Sequence, residues 1–115
     1  MSDTPTAVDN RRVLPAAARD RFQQGALLID VRRAVSRVEN GVVPGSEHVE
    51  KADVAARFGD AARDQPVVVF CGSENGSRPV VEQLVELGFT DVSHIEGGYP
   101  AWREAGLPTE EHPDR

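Results

Sequence analysis

Two hydrophobic patterns alternate along the chain, and they meet at its only cysteine, Cys71. Residues 66–70 are a continuous β-branched and aromatic run, which is typical of a strand buried on both faces. After Pro79 the apolar residues recur at helical spacing, and Gly88 is placed to end that helix. The small and polar residues 72–77 between the two patterns predict a tight loop. This part of the chain therefore predicts a strand, a cysteine, a loop and a helix, in that order.

The rest of the chain repeats the alternation of strand and helix patterns. Short apolar runs predict further strands at residues 13–14, 26–29, 47–49 and 91–95. Helical spacing and turn residues predict helices at residues 15–24, 51–58 and 99–105. Residues 34–40 have no clear period and are predicted to form a surface loop. Strands that alternate with helices predict an α/β domain with a parallel sheet and helices on both of its faces.

The length of 115 residues suits one domain with a hydrophobic core and is too short for two ordinary domains. Residues 1–10 are polar and lack periodicity, so we expect a flexible N-terminus. The single domain is expected to cover residues 11–108, followed by a polar C-terminal tail at 109–115. The sequence has no signal-peptide pattern and no apolar run that could span a bilayer, so we expect a cytoplasmic protein.

The net charge of −6 argues against polyanionic partners. Nucleic acids and anionic membrane surfaces require clustered Lys and Arg side chains, whereas the arginines here are scattered among acidic residues. We therefore expect no nucleic acid and no membrane partner, and we expect a monomer. One cysteine excludes an internal disulfide framework, and no Cys and His residues have zinc-ligand spacing, so we expect no metal and no cofactor.

Cys71 is the strongest candidate for chemistry because of the elements predicted around it. It follows a buried strand, and the backbone N–H groups of the next loop and helix would converge near its sulfur. A helix N-terminus favours the thiolate, which is the reactive form of cysteine. The alternative is a buried and inert core thiol. The glycine-bearing loop favours the nucleophile, and a lone reactive thiol suits a reducing compartment.

Five short motifs, in order from about residue 13 to residue 107, resemble those of the rhodanese-like domain. They are L-I-D-V-R at 28–32, G-V-V-P-G-S at 41–46, V-V-F-C at 68–71, the helix with its G-F exit at 82–89, and I-E-G-G-Y-P-A-W at 95–102. Each motif is short, but five in order at the expected intervals make the resemblance specific. It implies a rhodanese-like α/β fold, with a central parallel sheet of about five strands flanked by helices on both faces.

The resemblance also implies a sulfurtransferase in which Cys71 carries sulfur as a persulfide. A small donor of sulfane sulfur, such as thiosulfate, a persulfide or a polysulfide, would load the thiolate. Cyanide or a thiol, which could belong to another protein, would then accept the sulfur. Backbone amides of the active-site loop would stabilise the persulfide anion. Those amides belong to Gly72, Ser73, Glu74, Asn75, Gly76 and Ser77.

The loop after Cys71 departs from the family pattern C-x-x-G-x-R-S. Glu74 stands at the glycine position and Gly76 at the arginine position, while Ser77 matches the serine. Arg78 comes later and is expected on the first helical turn. Because the loop lacks the arginine and gains a carboxylate, we expect thiosulfate to be a poor donor and a persulfide or polysulfide to be a better one. The same departure leaves a second interpretation open, a catalytically weak or inactive rhodanese-like module for binding or regulation.

Thiol-dependent phosphatases have a different spacing, C-x5-R, in which loop amides and the arginine together hold a phosphate. Here the first arginine after Cys71 is Arg78, which gives C-x6-R. Glu74, predicted to be a solvated loop charge, would repel a phosphate dianion. A phosphatase or an arsenate reductase is therefore disfavoured.

The remaining polar and aromatic candidates have structural interpretations beside functional ones. Asp30 and Arg32 end a predicted strand and could contact a substrate, but a strand-end cap and an ion pair are favoured. Arg78 is predicted to be solvated, with contact to a donor anion as the alternative. Tyr99 and Trp102 are predicted to pack the last helix against the sheet. The histidines form no cluster and are predicted at the surface or at strand edges: His48, His94 and His112.

Overall fold

Five parallel strands form a single sheet in the computed structural model, which describes residues 11–114. The strands are β1 Arg12–Val13, β2 Leu27–Asp30, β3 Glu47–His48, β4 Val67–Phe70 and β5 Val92–Ile95. Their order across the sheet is β1-β5-β4-β2-β3, and every neighbouring pair is parallel. The central strand is β4, and all of its residues are buried. The prediction of a parallel sheet of about five strands is confirmed.

Five α-helices lie between and after these strands in residues 11–114. They are α1 Pro15–Gln23, α2 Ala34–Asn40, α3 Val54–Phe58, α4 Glu74–Glu86 and α5 Gly98–Glu104. A 3-10 turn at Lys51–Asp53 leads into α3. Among the helices of this described range, none has both the length and the apolar composition needed to cross a bilayer.

The alternating side chains of β4 divide the hydrophobic core into two layers. The first and third residues of β4 belong to a cluster with Phe58 of α3 and Leu84 of α4. The second and fourth residues belong to a cluster with Ala18 of α1 and Trp102 of α5. Because helices cover both faces of the strand, every position of β4 is apolar, which explains the continuous run in the sequence. Helices on both faces of the sheet are thereby confirmed.

Residues 34–40 form helix α2, so the prediction of a surface loop there is wrong. None of the residues in this helix is buried, which is why no hydrophobic period marks it in the sequence. Polar contacts hold the helix instead: Arg37 Nε donates to Asp30 Oδ2 at 3.1 Å, and the Tyr99 hydroxyl donates to the Asn40 carbonyl at 2.9 Å. A short helix that depends on such tertiary contacts leaves little local signal.

Helix α4 begins at Glu74, well before Pro79, where the sequence pattern placed its start. Ser73 is the N-cap, and its side-chain oxygen accepts a hydrogen bond of 3.3 Å from the Gly76 N–H. Pro79 therefore lies inside the helix, where its missing N–H leaves only the carbonyl of the exposed Asn75 without its helical donor. Most of the predicted loop is thus the first turn of this helix.

The polar segment after Pro108 contacts the domain through its backbone. The N–H and C=O groups of Glu110 exchange hydrogen bonds of 2.8 Å with those of Val42, in an isolated antiparallel bridge. The Trp102 indole N–H donates to the Pro108 carbonyl at 2.8 Å. Tyr99 and Trp102 are both buried in the core cluster beside α1, which confirms that they pack the last helix against the sheet.

A buried ion cluster joins β2 to α2. Asp30 is 0% exposed, and its Oδ2 lies 2.8 Å from Arg32 Nη2 and 3.1 Å from Arg37 Nε. The backbone N–H of Arg32 also donates to Asp30 Oδ1 at 3.0 Å, so the carboxylate caps the end of the strand. The Arg32 guanidinium, itself buried, donates to the Gly41 carbonyl at 2.8 Å. The prediction of a strand-end cap and an ion pair is confirmed.

Asp30→Asn is expected to lower the free energy of unfolding by about 3–5 kcal/mol, because two guanidinium groups lose their buried counter-charge. Urea denaturation followed by circular dichroism measures this loss. Glu47→Gln is the control, since the hydrogen bond from Arg57 holds the pKa of the Glu47 carboxyl below its ordinary value at an exposed site. Removing that surface pair should cost about 1 kcal/mol or less. Equal losses in the two variants would contradict the role assigned to Asp30.

Candidate active site

Cys71 directly follows β4, at the carboxyl edge of the sheet. Its side chain is half-buried and packs against the core cluster of α3 and α4. Its carbonyl oxygen accepts a hydrogen bond of 2.8 Å from the N–H of Tyr99, in the first turn of α5. The residues that follow parallel strands share this edge, and ligand sites of open α/β sheets form there. The structure thus places the thiol in the expected position, with part of its surface open.

Helix α5 approaches the backbone of Cys71 closely because Gly98 has no side chain. A Cβ on Gly98 would lie 2.7 Å from the Cys71 carbonyl oxygen and 2.9 Å from the Ser73 nitrogen. The φ angle of Gly98, +66°, is also unfavourable for residues with a side chain. The second glycine of the G-G-Y segment therefore allows the cysteine-bearing turn to pack against the start of α5.

Glu74 is a bridging carboxylate, so the prediction of a solvated loop charge is wrong. Its Oε2 accepts a hydrogen bond of 3.0 Å from the Gly97 N–H, and its Oε1 lies 3.3 Å from Arg12 Nη1. The carboxylate thereby joins the first turn of α4 to β1 and to the turn before α5. Both partners are far from Glu74 in the sequence, so local spacing could not identify them. The Arg12 cation also offsets part of the charge that was expected to repel anions.

The sulfur of Cys71 lies against Gly76 in the first turn of α4. A Cβ on Gly76 would lie 2.5 Å from Sγ and 2.9 Å from the Cys71 Cβ, closer than Cβ contacts in proteins. A Cβ on Gly72, by contrast, would meet nothing within 4 Å. The glycine at the family's arginine position is therefore required by the packing of the thiol.

The first turn of α4 offers fewer N–H groups to a ligand than the predicted loop. The Gly76 N–H is already bound by Ser73, at 3.1 Å from its carbonyl oxygen and 3.3 Å from its Oγ. The N–H groups at a helix start have no intrahelical acceptor, which here applies to Glu74 and Asn75. The helix dipole adds partial positive charge at the same end. Of the amides expected along residues 72–77, that of Gly76 is thereby occupied by Ser73.

A buried pair of side chains, Ser77 and His94, joins this first turn to β5. Both residues are 0% exposed, and Ser77 Oγ lies 2.7 Å from His94 Nδ1. The prediction of a surface or strand-edge position is wrong for His94, because β5 lies inside the sheet and α4 covers it. His48 does lie on an edge strand, where its ring N–H donates to the Arg32 carbonyl at 2.7 Å.

Arg78 lies in the second turn of α4, because the helix begins earlier than predicted. Its side chain is half-buried and already engaged in an interaction, so the expected solvated position is not observed. Arg78 also does not line the pocket beside Cys71.

A pocket of about 620 Å³ opens beside Cys71. Its lining comes from the segments that follow three neighbouring strands and from Ser36 of α2: Val31, Arg32 and Arg33 after β2, Glu50, Lys51 and Ala52 after β3, and Cys71 and Gly72 after β4. Arg33 and Lys51 are exposed cations that are not among the residues predicted from the sequence to form the site. Residues that follow parallel strands share one edge of the sheet. This argument predicted Asp30 and Arg32 near the site, and it applies equally to Arg33 and Lys51.

The charges around the pocket suit a small anion next to the Cys71 thiol. Two exposed cations line the pocket, and the positive end of α4 adjoins the sulfur. Arg32 has a different role, since Asp30 offsets its charge and its guanidinium lies 4.0 Å from the centre of the Tyr99 ring. Within residues 11–114, no group of three or more His, Cys, Asp or Glu side chains could hold a metal ion.

The fold and the site define an α/β domain with a cysteine at the carboxyl end of its central parallel strand. A family profile described as the rhodanese-like domain matches residues 14–105. A match over most of the chain assigns this protein to the rhodanese-like domain family, as the five sequence motifs indicated.

Individual known proteins are similar to this chain in sequence or in structure. A thiosulfate sulfurtransferase GlpE from Pseudomonas savastanoi pv. phaseolicola is 37% identical over 93 residues, which cover 81% of this chain and 87% of that protein. The rhodanese-like domain of the Alr3790 protein from Anabaena sp. has a TM-score of 0.78 at 21% identity, covering 90% of this chain and 81% of that chain. The polysulfide-sulfur transferase homodimer from Wolinella succinogenes has a TM-score of 0.76 at 26% identity, with coverages of 89% and 79%.

Gly76→Ala is expected to slow the alkylation of Cys71 by iodoacetamide at neutral pH by at least about threefold. The new Cβ would displace the sulfur from its contact with the start of α4, where the partial positive charge of the helix N-terminus lies. Gly72→Ala is the matched control, because its Cβ meets open space, and it should react at the wild-type rate. Mass spectrometry follows the reaction, and circular dichroism verifies that both variants are folded. Equal rates for the two variants would contradict the described packing of the thiol.

Proposed function

We propose that the protein is a rhodanese-type sulfurtransferase in which the Cys71 thiolate carries sulfane sulfur. The observation that carries the proposal is the position of the half-buried thiol, which ends the central strand, adjoins the start of α4 and opens on a pocket of about 620 Å³. Two of the similar proteins are named as a thiosulfate sulfurtransferase and a polysulfide-sulfur transferase. Both names support the transfer of sulfane sulfur as the reaction class.

Two displacement steps account for the transfer. The thiolate attacks the outer sulfur of the donor, a new S–S bond forms to Cys71, and the bond within the donor breaks with its electron pair on the leaving group. The leaving group is sulfite for thiosulfate and a thiolate for an organic persulfide. Cyanide or an acceptor thiolate then attacks the outer sulfur of the persulfide, and the electron pair of the broken bond returns to Cys71. The two steps together need no external oxidant or reductant.

The residues around Cys71 would hold it in position for both steps. The Tyr99 N–H binds its carbonyl oxygen, and the contact between Ser77 and His94 anchors the first turn of α4 to the sheet. The partial positive charge at the start of α4 would stabilise both the thiolate and the persulfide anion. The donor would enter through the pocket that Arg33 and Lys51 line.

The expectation that thiosulfate is a poor donor depended on Glu74 and on the missing loop arginine. Glu74 is bound by Arg12 and by the Gly97 N–H, so it is a weaker source of repulsion than a free carboxylate. The first turn of α4 still contains no cationic residue. Any cation that binds thiosulfate would therefore come from outside this turn.

A binding or regulatory module remains the second candidate function. The observation in its favour is the early start of α4, since a helix offers fewer inward-facing amides than an open loop around the sulfur. A phosphatase is less well supported than either candidate. Its chemistry needs an arginine fork over the phosphate, and Arg78 does not line the pocket beside Cys71.

Incubation with a sulfane-sulfur donor is expected to add one sulfur atom to the wild-type protein and none to Cys71→Ser, because only the thiolate can form the persulfide. Intact-protein mass spectrometry after treatment with thiosulfate, and separately with glutathione persulfide, measures the added mass. Cyanide or excess thiol should remove the sulfur again. A wild-type protein that takes up no removable sulfur from either donor would contradict the transferase and favour the binding module.

A further inference from the structure

In this chain residue 76, which is the position of the family's loop arginine, cannot carry a cationic side chain. Even a Cβ on Gly76 would lie 2.5 Å from Cys71 Sγ, so a longer side chain could not start there without moving the thiol. A donor such as thiosulfate brings negative charge towards a thiolate, and like charges repel. An anionic donor therefore needs a cation from another part of the chain.

Lys51 lies where such a cation is needed. Its Nζ is 3.6 Å from the place that a Cβ on Gly76 would occupy, and Cys71 Sγ is 2.5 Å from the same place. The ammonium group and the sulfur therefore flank one point on the surface of α4. Both residues also line the same pocket.

The order of the strands brings Lys51 to the thiol. Strands β3, β2 and β4 are neighbours and run parallel, so the chain leaves β3 at the same edge at which it leaves β4. The Val49 N–H donates to the Asp30 carbonyl at 3.0 Å, which continues the pairing just beyond β3. The 3-10 turn then begins at Lys51. The hydrogen bond between Val49 and Asp30 fixes the backbone just before this turn, and the turn places Lys51 beside the pocket.

The charge of Lys51 is not offset by a partner in the described chain. Within residues 11–114 its ammonium group has no ion pair and no hydrogen bond, whereas Arg12 and Arg37 both bind carboxylates. Arg33 lines the same pocket and has no carboxylate partner in that range either. Glu50 is the acidic residue of the lining, so the exposed side chains around the pocket carry a net positive charge.

We propose that Lys51, supported by Arg33, forms the anion subsite of this pocket and replaces the loop arginine of the family. The inference rests on the proposed sulfurtransferase function and names its donor class: compact anions that carry charge one bond away from the sulfane sulfur, of which thiosulfate is the simplest. In a reactive pose the sulfane sulfur lies about 3–3.5 Å from Sγ. The sulfonate follows one S–S bond further out, about 2 Å away. Its oxygens are then within reach of the Lys51 ammonium on its flexible stem.

Lys51→Met is expected to lower kcat/KM for thiosulfate, with cyanide as acceptor, by at least about tenfold, mainly through a higher KM, because the variant keeps the stem and loses the charge. Lys51→Arg keeps the charge and should recover most of the loss. With mercaptoethanol persulfide, which has no sulfonate for the subsite to bind, Lys51→Met should lose less than about threefold. Arg33→Met should show the same donor selectivity with a smaller loss.

Salt dependence gives a second readout that a structural effect would not change. Between about 10 mM and about 150 mM ionic strength, where screening shortens from about 30 Å to about 8 Å, the KM of the wild type for thiosulfate should rise. In Lys51→Met the rise should be smaller. Arg103→Met is the matched control, since Arg103 is an exposed cation that lines a different pocket, and it should behave as the wild type.

The outcomes separate this inference from the function on which it rests. If the wild type takes up no sulfur from any donor, the sulfurtransferase itself fails. If the wild type transfers sulfur but Lys51→Met affects both donors equally, or affects neither, the anion subsite is refuted while the function stands. Thermal unfolding of each variant verifies that a donor-selective loss does not come from misfolding.

Discussion

The geometry of the site depends on the buried carboxylate of Asp30. The desolvated carboxylate of Asp30 is stabilised because Arg32 and Arg37 both bind it and the Arg32 backbone N–H donates a further hydrogen bond to it. Arg32 transmits this constraint, because its guanidinium lies 4.0 Å from the centre of the Tyr99 ring. The Tyr99 N–H in turn holds the carbonyl oxygen of Cys71. A charge buried at the end of β2 thereby helps to fix the turn that carries the thiol at the end of β4.

Contacts on several elements hold that turn, so the thiol is positioned before any ligand binds. The start of α5 binds the carbonyl oxygen of Cys71, and the Gly97 N–H binds the carboxylate of Glu74. Ser77 contacts His94 on the sheet. Preorganisation of this kind favours a reaction that needs one sulfur aimed at another. The thiol packs so closely on Gly76 that residue 76 cannot carry a cationic side chain. A cation that binds an anionic ligand therefore has to come from the segments that follow the neighbouring strands.

Much of the fold could be predicted from the sequence, because buried parallel strands leave continuous apolar runs and the family motifs occur in order. The place of Cys71 after β4 followed from the same patterns. The bridging role of Glu74 and the burial of His94 could not be predicted, since their partners are distant along the chain. Lys51 was missed for a related reason. It follows β3, which has only two residues, and the position of β3 beside β2 is a property of the sheet and not of the local sequence.

The two departures from the family's loop pattern, Glu74 and Gly76, both lie in the first turn of α4. Glu74, at the glycine position, lies in the first turn of a helix that begins early and binds the Gly97 N–H and Arg12 across the site. Gly76, at the arginine position, leaves room for the sulfur against that same turn. Glu74 suits the first turn of this helix, whereas Gly76 has a low helix propensity and its place there is explained by the contact with the sulfur. The residue that removes the arginine is therefore also the residue that admits the Cys71 sulfur at the start of α4, and the two features cannot be changed independently.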